Sequence, residues 1–250
     1  MTKKQSCGQL TRWVLSLLIV CGLTSVAALV GSPTLALADN KTYALADWDT
    51  TGGGTSHAPQ NQGGYADMYI APGVANDWAS GGHINQTLWV ATDNSTTASQ
   101  YWVEGGYSYG YRGSNILTYY WGHASPTYGY NDHNITSITP TVGTWEPIQV
   151  KYVGNSTWSI TYNWQVATGP YGSSLATGNN LWSYGMVAGL ESTSTTNTLT
   201  NAAASGFEWM DTQGVWQTGW SNAGSTSYLY AVSPAHVTWS TQYQSITDGQ

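Results

Sequence analysis

The sequence predicts an all-β protein, a sandwich of two packed antiparallel sheets. Three observations carry that prediction. Segments of five to nine residues rich in Tyr, Trp, Val, Ile and Thr alternate with clusters of Gly, Asn, Ser, Pro and Asp, which marks short strands joined by turns. Within those segments the residue character alternates with a period of two, as strands require. From Asp39 onward no helical period of useful length appears.

Taken in order, residues 41–49 read as a first strand. A loop runs from Gly52-Gly-Gly54 to Gly63-Gly64 and holds His57. Residues 65–71 form a strand with Ala66, Met68 and Ile70 on one face. Residues 72–82 turn, and Trp78 is expected to lid an end of the core. Residues 84–91 form a strand in which Ile84, Leu88 and Val90 share one face and Asn85, Thr87 and Trp89 the other. A polar turn over 93–99 leads into Gln100-Tyr-Trp-Val-Glu-Gly-Gly-Tyr107, with Tyr101, Val103 and Tyr107 on one face and Gln100, Trp102 and Glu104 on the other. After a turn over 108–114, residues 115–121 carry Tyr119, Tyr120 and Trp121 in succession. Aromatics on both faces suit one face packed in the core and one lining a binding surface.

Residues 124–131 read as a loop. Strands follow over 134–138, 148–153 and 157–164, the last two a hairpin turned at Gly154-Asn155. Residues 182–191 form a strand with Tyr184, Met186, Ala188 and Leu190 on its core face. Residues 192–201 are a Ser/Thr turn and 203–210 another strand. Shorter strands over 214–220, 227–232 and 235–239 lead to a polar tail expected to fray. No linker, repeat or composition break divides residues 41–240. The strand count fits a jelly roll of the concanavalin A-like type, one of whose sheets would present a concave face.

The N-terminus reads differently. Lys3, Lys4 and Arg12 precede an apolar run over 13–30, and Ala36-Leu37-Ala38 follows. That is the order of a secretory signal peptide, residues 1–38, cleaved after Ala38. The expectation is a secreted, extracellular protein, with residues 39–250 as a single β-sandwich domain. Both cysteines, Cys7 and Cys21, lie in the leader, so the mature chain holds no disulfide. It keeps three basic residues against 13 carboxylates, a net charge of −10. Such a surface is a poor partner for nucleic acid or anionic membrane, and its few cations keep self-repulsion small in acid.

The same scarcity narrows the chemistry. The five histidines stand apart in sequence, and Asp47/Asp49 is the nearest approach to a calcium loop, so no metal or cofactor is expected. No phosphate-binding glycine loop and no Gly-x-Ser-x-Gly elbow occurs. The carboxylates remain, among them four glutamates. Glu104 stands on its strand beside Trp102 and before two glycines. Glu146 precedes Pro147 and reads as surface. Glu191 shares a face with Val187 and Gly189, a floor of small residues over which a substrate backbone could lie. Glu208, in Phe207-Glu-Trp209, either joins the site or covers a sheet. Two carboxylates on neighbouring strands can divide acid and base roles.

His83-Ile-Asn-Gln-Thr-Leu-Trp-Val-Ala-Thr-Asp93, Tyr101-Trp-Val-Glu-Gly-Gly-Tyr107, Thr118-Tyr-Tyr-Trp121, Ile148-Gln-Val-Lys-Tyr152 and Trp158-Ser-Ile-Thr-Tyr162 occur in that order. The series resembles the glutamic peptidases of the eqolisin type and the similar sandwich of neprosin, over roughly residues 65–212. The resemblance implies that Trp89 matches the family's site tryptophan and that Glu104 stands where eqolisins carry a catalytic glutamine. Neprosin uses a glutamate there, paired with a second. Two departures are visible. Tyr120 occupies the place of a glutamate in the aromatic strand, and Glu191, the nearest match to the second catalytic glutamate, falls a few residues late.

The function expected is that of a glutamic-type endopeptidase, with Glu104 and Glu191 as catalytic pair, Glu208 in reserve, and Trp89, Trp102, Tyr120 and Trp121 lining the substrate groove. Its partner would be a peptide or polysaccharide substrate. The rival readings are a non-catalytic carbohydrate- or cell-wall-binding module, which 14 tryptophans and 18 tyrosines would suit, and a two-carboxylate glycosidase.

Overall fold

The computed structural model describes residues 42–49, 61–91, 102–111, 114–125, 129–154, 157–171, 185–218, 229–240 and 245–250. The expected leader and its cleavage site, the His57 loop up to residue 60 and the 93–99 turn lie outside these residues, while residues 61–64, expected to close that loop, begin a strand.

Two antiparallel sheets pack face to face, the all-β sandwich that the alternation predicts. The first has the order β15 (Leu229–Ala231), β1 (Thr42–Asp49), β11 (Gly185–Ser192), β4 (Ile84–Ala91), β5 (Trp102–Gly110), β6 (Ser114–Ser125), β7 (Gly129–Ile135). The second has the order β10 (Gln165–Tyr171), β9 (Thr157–Tyr162), β8 (Trp145–Gly154), β2 (Asn61–Tyr69), β13 (Ala202–Asp211), β17 (Ser245–Gly249), β16 (His236–Ser240), with β14 (Trp216–Thr218) also paired to β13. A two-stranded sheet of β3 (Gly73–Val74) and β12 (Thr198–Leu199) stands apart from both. Among the described residues the only helix is a 3-10 turn at Trp78–Ser80. Trp78 is 39% exposed there and no residue of its turn is buried, so it is not the core lid expected.

The inner faces follow the sequence pattern. Ile84, Leu88 and Val90 of β4, Val103 and Tyr107 of β5, Met186 and Leu190 of β11, and Met68, Ile148 and Ile160 of the second sheet are all fully buried in one core. Two phenols tie the sheets together. Tyr107 Oη donates to the Tyr69 carbonyl at 2.9 Å and accepts from the Ala71 amide at 3.0 Å, and Tyr109 Oη donates to the Ala71 carbonyl at 3.1 Å. These bonds satisfy backbone groups where β2 leaves its sheet, so the aromatic bulk carries its own polar partner into the core.

Three local expectations are corrected. The 124–131 segment is no loop: β6 runs on to Ser125 and β7 begins at Gly129, making a long hairpin. Glu146 is buried, because its carboxylate accepts from the Thr141 amide and the Thr144 hydroxyl, both at 2.8 Å, and closes that turn. The polar tail does not fray. β17 pairs with both β13 and β16, and Gln250 exchanges backbone hydrogen bonds with Leu199 at 3.0 and 3.1 Å.

Candidate functional site

Directly opposed residues of antiparallel strands point to the same face of a sheet. Asp132 of β7 lies opposite Gly122 of β6, Gly122 opposite Glu104 of β5, Glu104 opposite Trp89 of β4, and Trp89 opposite Val187 of β11. One row across the outer face of the first sheet therefore reads Asp132, Gly122, Glu104, Trp89, Val187. A small apolar cluster of Leu45, Trp89, Trp102, Ala124 and Val187 sits on this face, separate from the main core.

Glu104 is buried to 1% exposure. Its Oε1 accepts from Tyr130 Oη at 2.6 Å and its Oε2 from Trp102 Nε1 at 3.0 Å. Burial pushes the carboxyl up, the donors Tyr130, Trp102 and Trp89 pull it back, the charge of Asp132 pushes it up again, and the balance stands at about 7. Through most of the acidic range Glu104 thus holds a proton. Gly122 makes the arrangement possible. A Cβ there would lie 2.8 Å from both Glu104 Oε1 and Tyr130 Oη, so any other residue would push the acid and its donor apart. The Glu104 carboxyl and the Tyr130 hydroxyl occupy that gap, and the Cα atoms of Glu104 and Asp132 are two strand spacings, about 10 Å, apart.

The donors belong to an aromatic layer. The Tyr130 ring stacks on Trp102 at 6.2 Å, and its hydroxyl lies 3.3 Å from that of Tyr111. Tyr111 packs on Tyr120 at 4.9 Å, and the Tyr120 hydroxyl accepts from Asn85 Nδ2 at 2.7 Å. Burial raises the Tyr111 and Tyr120 phenols well above their ordinary value, and the charges of both Glu104 and Glu191 raise them further. These two rings therefore lie between the two glutamates.

Glu191 is on the same face, buried, in the row of Asn85 and Ser108. That row is four residues along β4 from Trp89, and β11 is two strands from β5. The Cα atoms of Glu104 and Glu191 are thus separated by about 13 Å along the strands and about 10 Å across them. The expected pair shares one sheet face but is not brought together around one water. Two other residues leave the groove altogether. Trp121 alternates to the inner face, where it stacks on His133 at 3.9 Å and His123 at 5.5 Å. Glu208 is on β13 of the second sheet, opposite Tyr65 and Thr218. Trp89, Trp102 and Tyr120 line the site face as expected.

Sequence reasoning missed Tyr130 and Asp132, which the hairpin folds back beside Glu104. It also set the histidines apart, whereas the same hairpin brings His123 and His133 to 6.0 Å. Among the described residues no group of three or more His, Cys, Asp or Glu could hold a metal ion. The side chains of Asp47 and Asp49 lie outside the described residues.

No protein-family model matches the chain. No curated protein matches it in sequence. In structure the chain is similar to glutamic peptidases. Scytalido-glutamic peptidase, solved with a peptide-based transition-state analogue, matches with a TM-score of 0.47 at 9% identity, over 84% of this chain and 97% of that one. An eqolisin-family peptidase solved with the tripeptide Ala-Ile-His gives the same four values. A non-specific endo-β-1,3(4)-glucanase matches at 0.36 and 7% identity, over 80% of this chain and 61% of that one. The likeness is one of pattern and says nothing of the groove's chemistry.

Proposed function

We propose that the chain is a secreted, acid-acting endopeptidase of the glutamic type whose carboxylate pair is Glu104 and Asp132, with Glu191 further along the same groove. The observation that carries this reading is a buried Glu104 carboxyl, protonated up to about pH 7, one glycine away from an exposed second carboxylate. A protonated acid and a nearby carboxylate are what hydrolysis by an activated water requires.

Water held between Glu104 and Asp132 gives a proton to Asp132 as its oxygen bonds to the substrate carbonyl carbon. Glu104 gives its proton to the carbonyl oxygen as that oxygen gains the electron pair. When the tetrahedral intermediate collapses, the carbon–nitrogen bond breaks and the leaving nitrogen takes the proton from Asp132. Glu104 regains its own from the reforming acid. Tyr130, Trp102 and Trp89 hold the Glu104 oxygens in place throughout and stabilise its brief negative charge.

The rival enzyme reading is a two-carboxylate glycosidase, which would use the same acids across a sugar ring. One assay distinguishes the readings. Chain 39–250 is incubated at acidic and neutral pH with denatured protein and with β-glucan. The expected result is peptide cleavage in acid that Glu104→Ala and Asp132→Asn abolish while both variants remain folded. Glucan cleavage alone would replace the substrate class. Peptide cleavage retained by folded Glu104→Ala would overturn the assignment.

A further inference from the structure

The outer face of the second sheet carries a feature that the Glu104 groove does not use. Trp164 stands in the β9–β10 turn at φ 62, a left-handed conformation that a bulky residue rarely adopts, and 67% of it is exposed. The turn is held by the Asn163 amide donating to the Pro147 carbonyl at 2.8 Å. Its indole stacks on Tyr65 of β2, with centroids 5.9 Å apart and planes at 24°. Trp216 of β14 meets Tyr65 edge-on at 6.3 Å. Four residues along β2, Tyr69 packs on Trp145, half of which is exposed, at 5.6 Å. Two aromatic groups thus lie about 13 Å apart along one strand.

Carboxylates flank these rings. The Tyr65 hydroxyl donates to Asp67 Oδ1 at 2.6 Å, and the charges of Asp67 and Glu208 both act on its phenol. Glu208 is opposite Tyr65 on β13, and Asp67 is two residues along β2 on the same face. A ligand for this face must offer a flat apolar surface to the indoles and hydroxyl donors to the carboxylates, and must not be anionic. A neutral sugar ring has those properties: its C–H face stacks on aromatics and its hydroxyls donate to acidic side chains. A nucleic acid or acidic polysaccharide would meet like charge.

We propose that Trp164, Tyr65, Trp216 and Trp145 form a binding surface for a neutral polysaccharide, distinct from the groove and on the opposite side of the sandwich. The distance between the two aromatic groups requires a chain of several sugar units rather than one. This inference does not rest on the peptidase reading.

The test is affinity electrophoresis in gels containing soluble neutral β-glucan, xylan or mannan, followed by calorimetry with oligosaccharides of increasing length of the sugar that retards the protein. Polygalacturonate serves as the anionic control. Retardation by a neutral polymer, tighter binding as oligosaccharides lengthen, and at least about tenfold weaker binding in Trp164→Ala support the proposal, provided Glu104→Gln binds as the wild type does. Loss in Glu104→Gln with retention in Trp164→Ala would move the sugar site to the groove and overturn it. Failure of all three neutral polymers to retard the protein would also overturn it. So would concentration-dependent dimerisation lost in Trp164→Ala, which would make the face a contact between two copies of the chain.

Discussion

Glu104 and Asp248 are both buried acids raised to about 7, yet their surroundings differ. Asp248, on β17, is fully buried in the sandwich. Gln86 is near enough to lower its value slightly, but neither carboxylate oxygen completes a hydrogen bond of full geometry. Glu104 has Tyr130, Trp102 and Trp89 aimed at it and a second carboxylate across a glycine. Donors aimed at an acid stabilise a negative charge when it forms, whereas an acid without them is best kept protonated. By this contrast Glu104 is built to change charge and Asp248 is built to stay neutral.

The largest expected effect tests the active member of the pair. Glu104→Ala should reduce turnover by about 10²–10⁴, the usual span for loss of a general acid, in a variant that circular dichroism shows to be folded. Near-wild-type peptide cleavage would erase the difference between the two acids.

Next comes stability. Each acid has a folded-state value of about 7, above its ordinary value, so each contributes stability that is fully present below the unfolded value and is lost as pH rises through 7. A tenfold change in proton affinity corresponds to ~1.4 kcal/mol. Denaturant titrations should therefore find the protein most stable near pH 4 and weaker by a few kcal/mol at about pH 8. Asp248→Asn should flatten much of that slope while leaving the pH–rate profile in place. Glu104→Gln should remove its own share of the slope together with the activity. An unchanged slope in Asp248→Asn would contradict the neutral role given to that residue.

Smaller effects probe the surroundings of Glu104. Tyr130→Phe removes a donor that lowers its value, so the alkaline limb of the rate profile should move up. Asp132→Asn removes a charge that raises the value, so in whatever residual activity remains the limb should move down. Glu191→Gln, at the far end of the groove, should raise KM by a few-fold and leave kcat nearly unchanged, because the residue lies outside the reacting row.

These contrasts were legible in the sequence only in part. Alternation over 84–91 and 100–107 put Trp89, Trp102 and Glu104 on one face, because the core residues Ile84, Leu88, Val90, Val103 and Tyr107 alternate with polar ones such as Asn85, Thr87 and Glu104. It failed for Gly129-Tyr-Asn-Asp-His-Asn134. That segment is an exposed edge strand, with no apolar alternation to betray it, so Tyr130 and Asp132 went unseen. Asp248 was hidden for the opposite reason: a carboxylate in a polar tail gives no hint that it faces the core. The pairing of Glu104 with Glu191 rested on sharing a face, which alternation reveals. Row position depends on register, which hairpins and long-range pairing set.

The most direct measurement is of the Glu104 proton itself. Infrared difference spectra of Asp248→Asn, recorded from acid to alkaline pH, give the Glu104 carboxyl as the band lost when Glu104 is also changed to Gln, while the other acids, among them Glu146 with its value raised by burial, contribute to both variants. Burial, the three donors and the Asp132 charge together predict a carboxyl band that disappears with a midpoint near 7 and is missing from the Asp248→Asn, Glu104→Gln double variant. A band that disappears instead near the ordinary glutamate value of about 4.3, or one that survives in the double variant, would contradict it.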